Sequence, residues 1–240
     1  MRKLTIKKNG KEIYTNGGWF RAAPPEGKEK QWVPSFSASE LADYFLRYKG
    51  FVPPEIDAYL NEIGIVSDSF NSEPECKTDL EKEGFGEKGP RQHDLLIRSD
   101  TNEVIIGLEA KAREDLDEYV TEKGDDPLTP NQEKRYAGLC DKLLGRELNN
   151  CENIRYQLLS ATAGTLIEAD KLGAKKAVLL IVLFKTPVVS QEHIQSTKKD
   201  IEAFLKCLKQ SNNGSYKTAN FKPDIDLFVK TLIIDVNSYN

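Results

Sequence analysis

Apolar and polar residues alternate with period two across residues 90–114, PRQHDLLIRSDTNEVIIGLEAKARE, and the alternation predicts two short strands joined by a tight polar turn. Leu95 and Ile97 alternate with Asp94, Leu96 and Arg98. Val104, Ile106, Leu108 and Ala110 alternate with Ile105, Gly107, Glu109 and Lys111. A hairpin turning at Thr101-Asn102 pairs Leu95 with Leu108 and Ile97 with Ile106, giving one apolar face. On the other face this register sets Asp94 opposite Glu109, with Lys111 two residues further on and pointing the same way.

The rest of the chain arranges helices and strands around that hairpin. Residues 1–16 read as a second hairpin turning at Asn9-Gly10. GGWFRAAPPEGKEKQW follows as a loop whose Gly and Pro content rules out a long helix, so residues 1–34 form a hairpin and arm ahead of a main domain at 35–240. Trp19, Phe20 and Trp32 are of the type that stacks on bases, but aromatics in such an arm more often pin it to the core. Helices are predicted from Ser37 to about Lys49, with Ser37 and Glu40 at capping-box spacing, and over 53–64, from the prolines to Gly64. Residues 66–89 are polar and read as loop, and 112–126 as an acidic surface helix or loop. Thr129, Pro130 and Gln132 open a helix to Gly145. An amphipathic helix over 153–173 precedes the apolar run KKAVLLIVLFKT, which has the length of a buried strand. Hairpin, helix and buried strand in that order imply a crossover that sets the new strand parallel to one of the hairpin strands. A helix from Ser190 to about Gln210 and a last strand, DLFVKTLIIDV, complete an α/β chain.

Composition narrows the class. At 240 residues, 39% hydrophobic and 30% charged, the chain is of ordinary globular make-up and large enough for a substantial core. Cys76, Cys140, Cys151 and Cys207 are scattered without a CxxC pair, and His93 lies far from His193, which argues against a zinc site or a disulfide framework. MRKLTIKKNG carries no apolar signal-type stretch and no apolar run reaches 18 residues, so a cytoplasmic protein without a membrane partner is expected. A net charge of -4 gives no global attraction for nucleic acid, and binding would need a local patch. Lys198, Lys199, Lys206 and Lys209 are the most basic stretch, though a solvated helix face is the favoured account of them.

Two facing carboxylates repel unless a cation sits between them, and a divalent ion with oxygen ligands is the natural occupant. Lys111 beside them has the chemistry to orient water or balance charge on phosphorus. The plain alternative is a solvated sheet face with a surface ion pair. The chain as a whole tilts the balance. APPEGKEKQW, SASELADYF, HDLLI with GLEAKARE, LTPNQEKR and IRYQLLSATAGTLIEADKLGAKKAVLL, in this order and over about residues 4–186, resemble a bacterial family placed within the PD-(D/E)XK nuclease superfamily. The resemblance implies a restriction-endonuclease-like core, a mixed sheet flanked by helices, with the N-terminal hairpin as an arm. It implies Asp94, Glu109 and Lys111 as the acid, acid and lysine, Gln157 projecting toward them, and Mg²⁺ or Mn²⁺ held by Asp94 and Glu109 with Glu40 as a further ligand. His93 precedes Asp94 and Pro90 lies four positions upstream, so the "PD" half of the motif is missing. The implied function is metal-dependent phosphodiester hydrolysis, on DNA more than RNA, with a homodimer common among such nucleases. The alternatives are a nuclease-fold binding module without activity, favoured by the acidic net charge, and a metal-dependent hydrolase of a small phosphorylated molecule.

Overall fold

The computed structural model describes residues 1–87, 89–121 and 127–239, residues 238 and 239 by backbone alone. Among these residues nine strands pair into one sheet: β1 (Lys3–Lys8), β2 (Lys11–Glu12), β3 (Ser69–Thr78), β4 (Arg91–Ser99), β5 (Val104–Lys111), β6 (Lys176–Lys185), β7 (Lys209–Gln210), β8 (Tyr216–Lys217) and β9 (Asp226–Asp235). Their order is β2-β1-β3-β4-β5-β6-β9-β8-β7. β1 runs parallel to β3, β5 to β6 and β6 to β9, while the other pairs are antiparallel, so the sheet is mixed. The helices are α1 (Asn16–Ala22), α2 (Ser37–Leu46), α3 (Pro54–Glu62), α4 (Pro130–Leu139), α5 (Tyr156–Lys171) and α6 (Gln191–Leu205). None of them is long and apolar enough to cross a membrane.

The central hairpin keeps the predicted register. Leu95 pairs with Leu108 and Ile97 with Ile106, and Asn102 takes the positive φ of 55° that the turn needs. The N-terminal hairpin turns at Asn9 and Gly10, both at positive φ, and β1 then joins the sheet beside β3. Leu108 pairs with Leu180, and four residues along that face Phe184 meets the Tyr44 ring of α2, with centroids 5.9 Å apart. The opposite face carries α5, so the hairpin lies between two helices. α5 goes beyond its expected amphipathic character, because every residue from Tyr156 to Ala169 is buried. Its hydroxyls satisfy themselves within the helix, Thr162 donating to the Leu158 carbonyl and Thr165 to that of Ala161.

Gly107 sets how closely α5 approaches. A Cβ there would overlap Thr165 Oγ1 and lie 3.1 Å from Thr165 Cβ, both on a buried helix with no room to yield. Gly107→Ala is therefore expected to cost about 1–3 kcal/mol through overpacking, read as a lower urea midpoint at unchanged m-value. Adding Thr165→Ala should recover part of the loss.

Three segments differ from expectation. Residues 69–78, read as loop, form β3. Burial alternates strictly along it, but the inward residues are Phe70, Ser72, Pro74, Cys76 and Thr78, only one of them a large hydrophobe. The arm contains α1, capped by the Thr15 side chain, and buries Trp19, while Phe20 packs on Trp32. These aromatics serve the core, as the structural reading of the arm anticipated. α6 ends at Leu205 rather than near Gln210, β7 takes the last two residues of that expected helix, and β8 forms within the polar stretch before the last strand. The start of α4 matches its signal. Thr129 and Gln132 make a reciprocal capping box, and the helix continues past Leu139 as a π-turn over Cys140–Leu144 to Gly145 at φ 65°. Residues 112–121 of the acidic segment run as bends and loop, and 122–126 lie outside the described residues.

Candidate active site

Where the ends of β4 and β5 meet the start of α5, a cleft of ≈ 340 Å³ opens, lined among others by Glu75, Arg91, Asp94, Lys111 and Gln157. Asp94, Lys111 and Gln157 thus converge as expected. Glu109 lies beneath them, only 1% exposed, and Gln157 Nε2 donates to its Oε2 at 3.0 Å. Lys111 makes no hydrogen bond or ion pair with the described residues, which leaves its ammonium for the cleft.

Glu40 is not part of this constellation. Its carboxylate accepts the Ser35 N–H at 2.7 Å, where the chain has φ 71° before α2. The expected Ser37–Glu40 capping box does not form either, because α2 begins one residue earlier than that box requires, with Phe36 as N-cap. Glu114 takes over the capping role: its Oε1 accepts both the N–H and the hydroxyl of Ser37 at 3.0 Å, and its Oε2 accepts the Ala112 N–H. That bond ties α2 to the segment leaving β5.

The geometry around Asp94 also departs from a regular ladder. The β4–β5 pairing ends at Leu95–Leu108, and Asp94 Oδ2 accepts the Ala110 N–H at 2.7 Å rather than standing opposite Glu109. Regular alternation from Leu95 would send His93 to the α2 face. Instead its Nδ1 lies 3.6 Å from Glu109 Oε1, and Arg91 forms an ion pair with Glu109. The side-chain phase therefore reverses between Leu95 and His93, and the cause lies on β3. Pro74 pairs with Leu95 and Cys76 with His93, but Glu75 and Asp94 between them drop out of the ladder, and Glu75 takes φ 49°. Lys8 from β1 fixes the irregularity, donating to the Pro74 and Glu75 carbonyls at 2.9 and 3.0 Å and to the Glu73 carboxylate.

A slot between sheet and helix receives the redirected His93. Added Cβ atoms at Gly107 and Gly164 would come within 3.2 and 2.7 Å of its ring. The imidazole is fully buried with neither nitrogen hydrogen-bonded, and burial pushes it below its ordinary pKa. Burial acts to raise Glu109 as well, but the Arg91 guanidinium and His93 beside it overcome that and hold its carboxyl below the usual range. Arg91, Glu75 and His93 were not identified from sequence. Alternation on the first strand is read only from Asp94 onward and leaves Arg91 and His93 unplaced, as the loop reading of residues 66–89 does Glu75.

Asp94 and Glu75 carry the opposite perturbation. Burial, then the Glu109 charge, raises Asp94 to about 7, with Lys111 and the Ala110 N–H pulling it down. Burial, then the Asp94 charge, raises Glu75 to about 8. Unfolded carboxyls titrate near about 4, so between about 4 and 8 the folded chain holds protons that the unfolded chain has lost. By linkage this stabilisation is present at low pH and is lost as pH rises through the folded values. Glu109, with its depressed value, works the other way and loses its contribution as pH falls. In a chelator, thermal stability is therefore expected to peak near pH 5 and decline toward pH 8. Asp94→Asn should flatten the decline.

Among the described residues no three His, Cys, Asp or Glu side chains form a ready metal cage. The donors present still suit a hard divalent cation, which commonly takes one or two carboxylates and completes its shell with water and phosphate oxygens. Asp94 and Glu75 reach the cleft, and Glu109 Oε1 and Gln157 Oε1 are buried without a hydrogen-bond partner. The family model of a domain of unknown function, DUF6946, matches residues 14–235. Neither a curated protein nor a solved structure matches the chain.

Proposed function

We propose that the chain, which belongs to the DUF6946 family, is a Mg²⁺- or Mn²⁺-dependent phosphodiesterase, a DNA endonuclease with a restriction-endonuclease-like core. The observation that carries this reading is the convergence of Asp94, Lys111 and Gln157 on one cleft directly above buried Glu109. Three elements separated in sequence deliver these groups, which a mere charged sheet face would not require.

Asp94 and the unpartnered oxygen of Glu109 would hold the cation, which when bound supplies Lewis acidity toward the scissile phosphate. Lys111 is placed to orient an attacking water and to balance the charge that builds on phosphorus. Gln157 holds Glu109 through Nε2 and leaves Oε1 without a protein partner beside the cation site. Arg91 at the cleft wall and His93 below it fix Glu109 in place.

The cleft's charge favours one second reading. Glu26, Glu114, Asp115 and Asp117 line it alongside Glu75 and Asp94, against only Arg91 and Lys111. Such a surface suits a small phosphorylated substrate carried in with its own cation better than a long polyanion. The test is cleavage of supercoiled and linear DNA by wild type and Asp94→Asn, with Mn²⁺, Mg²⁺ or EDTA. Cleavage that requires metal and disappears in the variant supports the nuclease. Metal-dependent hydrolysis confined to small phosphodiesters, with binding insensitive to salt, supports the second reading, because DNA binding would weaken steeply with salt.

A further inference from the structure

We infer that Glu75, on β3, is a cation ligand of this site, sharing a divalent ion with Asp94 across the interruption in the β3–β4 ladder. The inference rests on the proposed metal site and adds to it a residue from outside the hairpin. Glu75 and Asp94 are neighbours on adjacent strands, and each leaves the ladder that their flanking residues keep. Both line the same cleft. The backbone there is built to stay irregular, since Lys8 binds the carbonyls of residues 74 and 75 and β3 resumes its register at Cys76. A non-glycine residue at positive φ within a ten-residue strand is costly and persists only where surrounding contacts enforce it.

A pair of carboxylates alone would be an acidic cluster and nothing more. The independent observation is Gln157, 95% buried, whose Oε1 has no hydrogen-bond partner and which lines this cleft. An amide oxygen left unsatisfied in a buried position is unfavourable unless a ligand completes it. Two carboxylates and an amide oxygen form an all-oxygen donor set, suited to Mg²⁺ or Mn²⁺ rather than to zinc. Gln92 donates to the Glu75 carboxylate and orients it, as outer-shell partners do for metal ligands. Glu40, which the helix position had suggested for this role, is turned to Ser35 instead.

Mn²⁺ titration of the full chain, followed by calorimetry and by the electron paramagnetic resonance of free Mn²⁺, tests the assignment. Glu75→Gln should weaken Mn²⁺ binding by at least the roughly 10- to 100-fold that loss of an outer-shell partner costs, while Glu40→Gln should bind as wild type does. Glu75→Gln removes like-charge repulsion and should remain folded in EDTA. Glu75→Asp, which keeps the charge on a shorter arm, provides a second variant with an intermediate loss. Unchanged binding in both Glu75 variants, or no Mn²⁺ binding by wild type, overturns the inference. Parallel DNA cleavage separates it from the functional reading. Cleavage by Glu75→Gln with wild-type metal dependence refutes the ligand and leaves the nuclease. Glu75-dependent Mn²⁺ binding without cleavage of any nucleic acid supports the ligand and refutes the nuclease.

Discussion

Arg91→Met is expected to destabilise the protein by about 3–5 kcal/mol, the usual cost of removing one partner of a buried ion pair. The loss follows from what Arg91 leaves behind. Glu109 is 1% exposed, and without the guanidinium its Oε2 retains only the Gln157 amide. Neutral His93 is a weak substitute for the missing positive charge, because burial disfavours its protonated form. The carboxyl must therefore take up a proton, and the sign of its linkage reverses. In wild type Glu109 contributes stability that is lost as pH falls. In the variant its raised folded value makes stability fall as pH rises from about 5 to 8.

The Arg91→Met/Glu109→Gln double variant should recover most of the deficit, since replacing both members of a buried pair is often close to neutral. Urea unfolding of the four proteins at pH 5 and pH 8 forms a double-mutant cycle with a coupling energy that should increase at the higher pH. Additive losses at both values would show that Arg91 contributes through packing alone, against Gly164 and the helix. Such a result would also remove the reason for regarding Glu109 as held in place.

The hairpin was legible because its two periodicities agree. Large apolar residues sit at alternate positions on both strands, and the turn falls where Asn102 tolerates positive φ. β6 was legible for the opposite reason, since an unbroken apolar run suits only a strand covered on both faces. β3 was hidden by composition. Its inward positions carry Ser72, Pro74, Cys76 and Thr78, and Pro74 within a polar stretch argues against a strand by every local rule. A period-two signal exists there, with Ser69, Asn71, Glu73, Glu75 and Lys77 outward, but it separates polar residues from small ones rather than from large hydrophobes. That omission propagated into the site. Without β3, nothing indicates an interrupted ladder, so alternation sets Asp94 directly opposite Glu109 and gives His93 and Arg91 no place in the site. Asp94, Glu109 and Lys111 stand together in the sequence because the hairpin carries a strong periodic signal, whereas Gln157 comes from the family resemblance alone. Glu75, Arg91 and His93 depend on a tertiary irregularity that no local pattern encodes.

Lys111→Ala is expected to reduce metal-dependent cleavage by about 10²–10³-fold, the scale of losing one preorganised electrostatic contact to a transition state, with stability near that of wild type. The side chain is partly exposed, lines the cleft and has no partner among the described residues, so its removal leaves no buried charge uncompensated. Metal binding provides the discriminating measurement. Lys111 lowers the Asp94 carboxyl, and removing it raises that value further, so at pH 7 the variant should need a slightly higher Mn²⁺ concentration to displace the proton. At pH 9, where Asp94 is ionised in both proteins, loss of the positive charge leaves a more negative cleft, and Mn²⁺ should bind the variant as tightly as wild type or more so. Cleavage at saturating Mn²⁺ and pH 9 should nevertheless remain deficient. Recovery of full activity under those conditions would make Lys111 a residue that only tunes metal occupancy. A persistent deficit with the metal fully bound assigns it to the chemical step, where an ammonium facing the reacting phosphate has its effect.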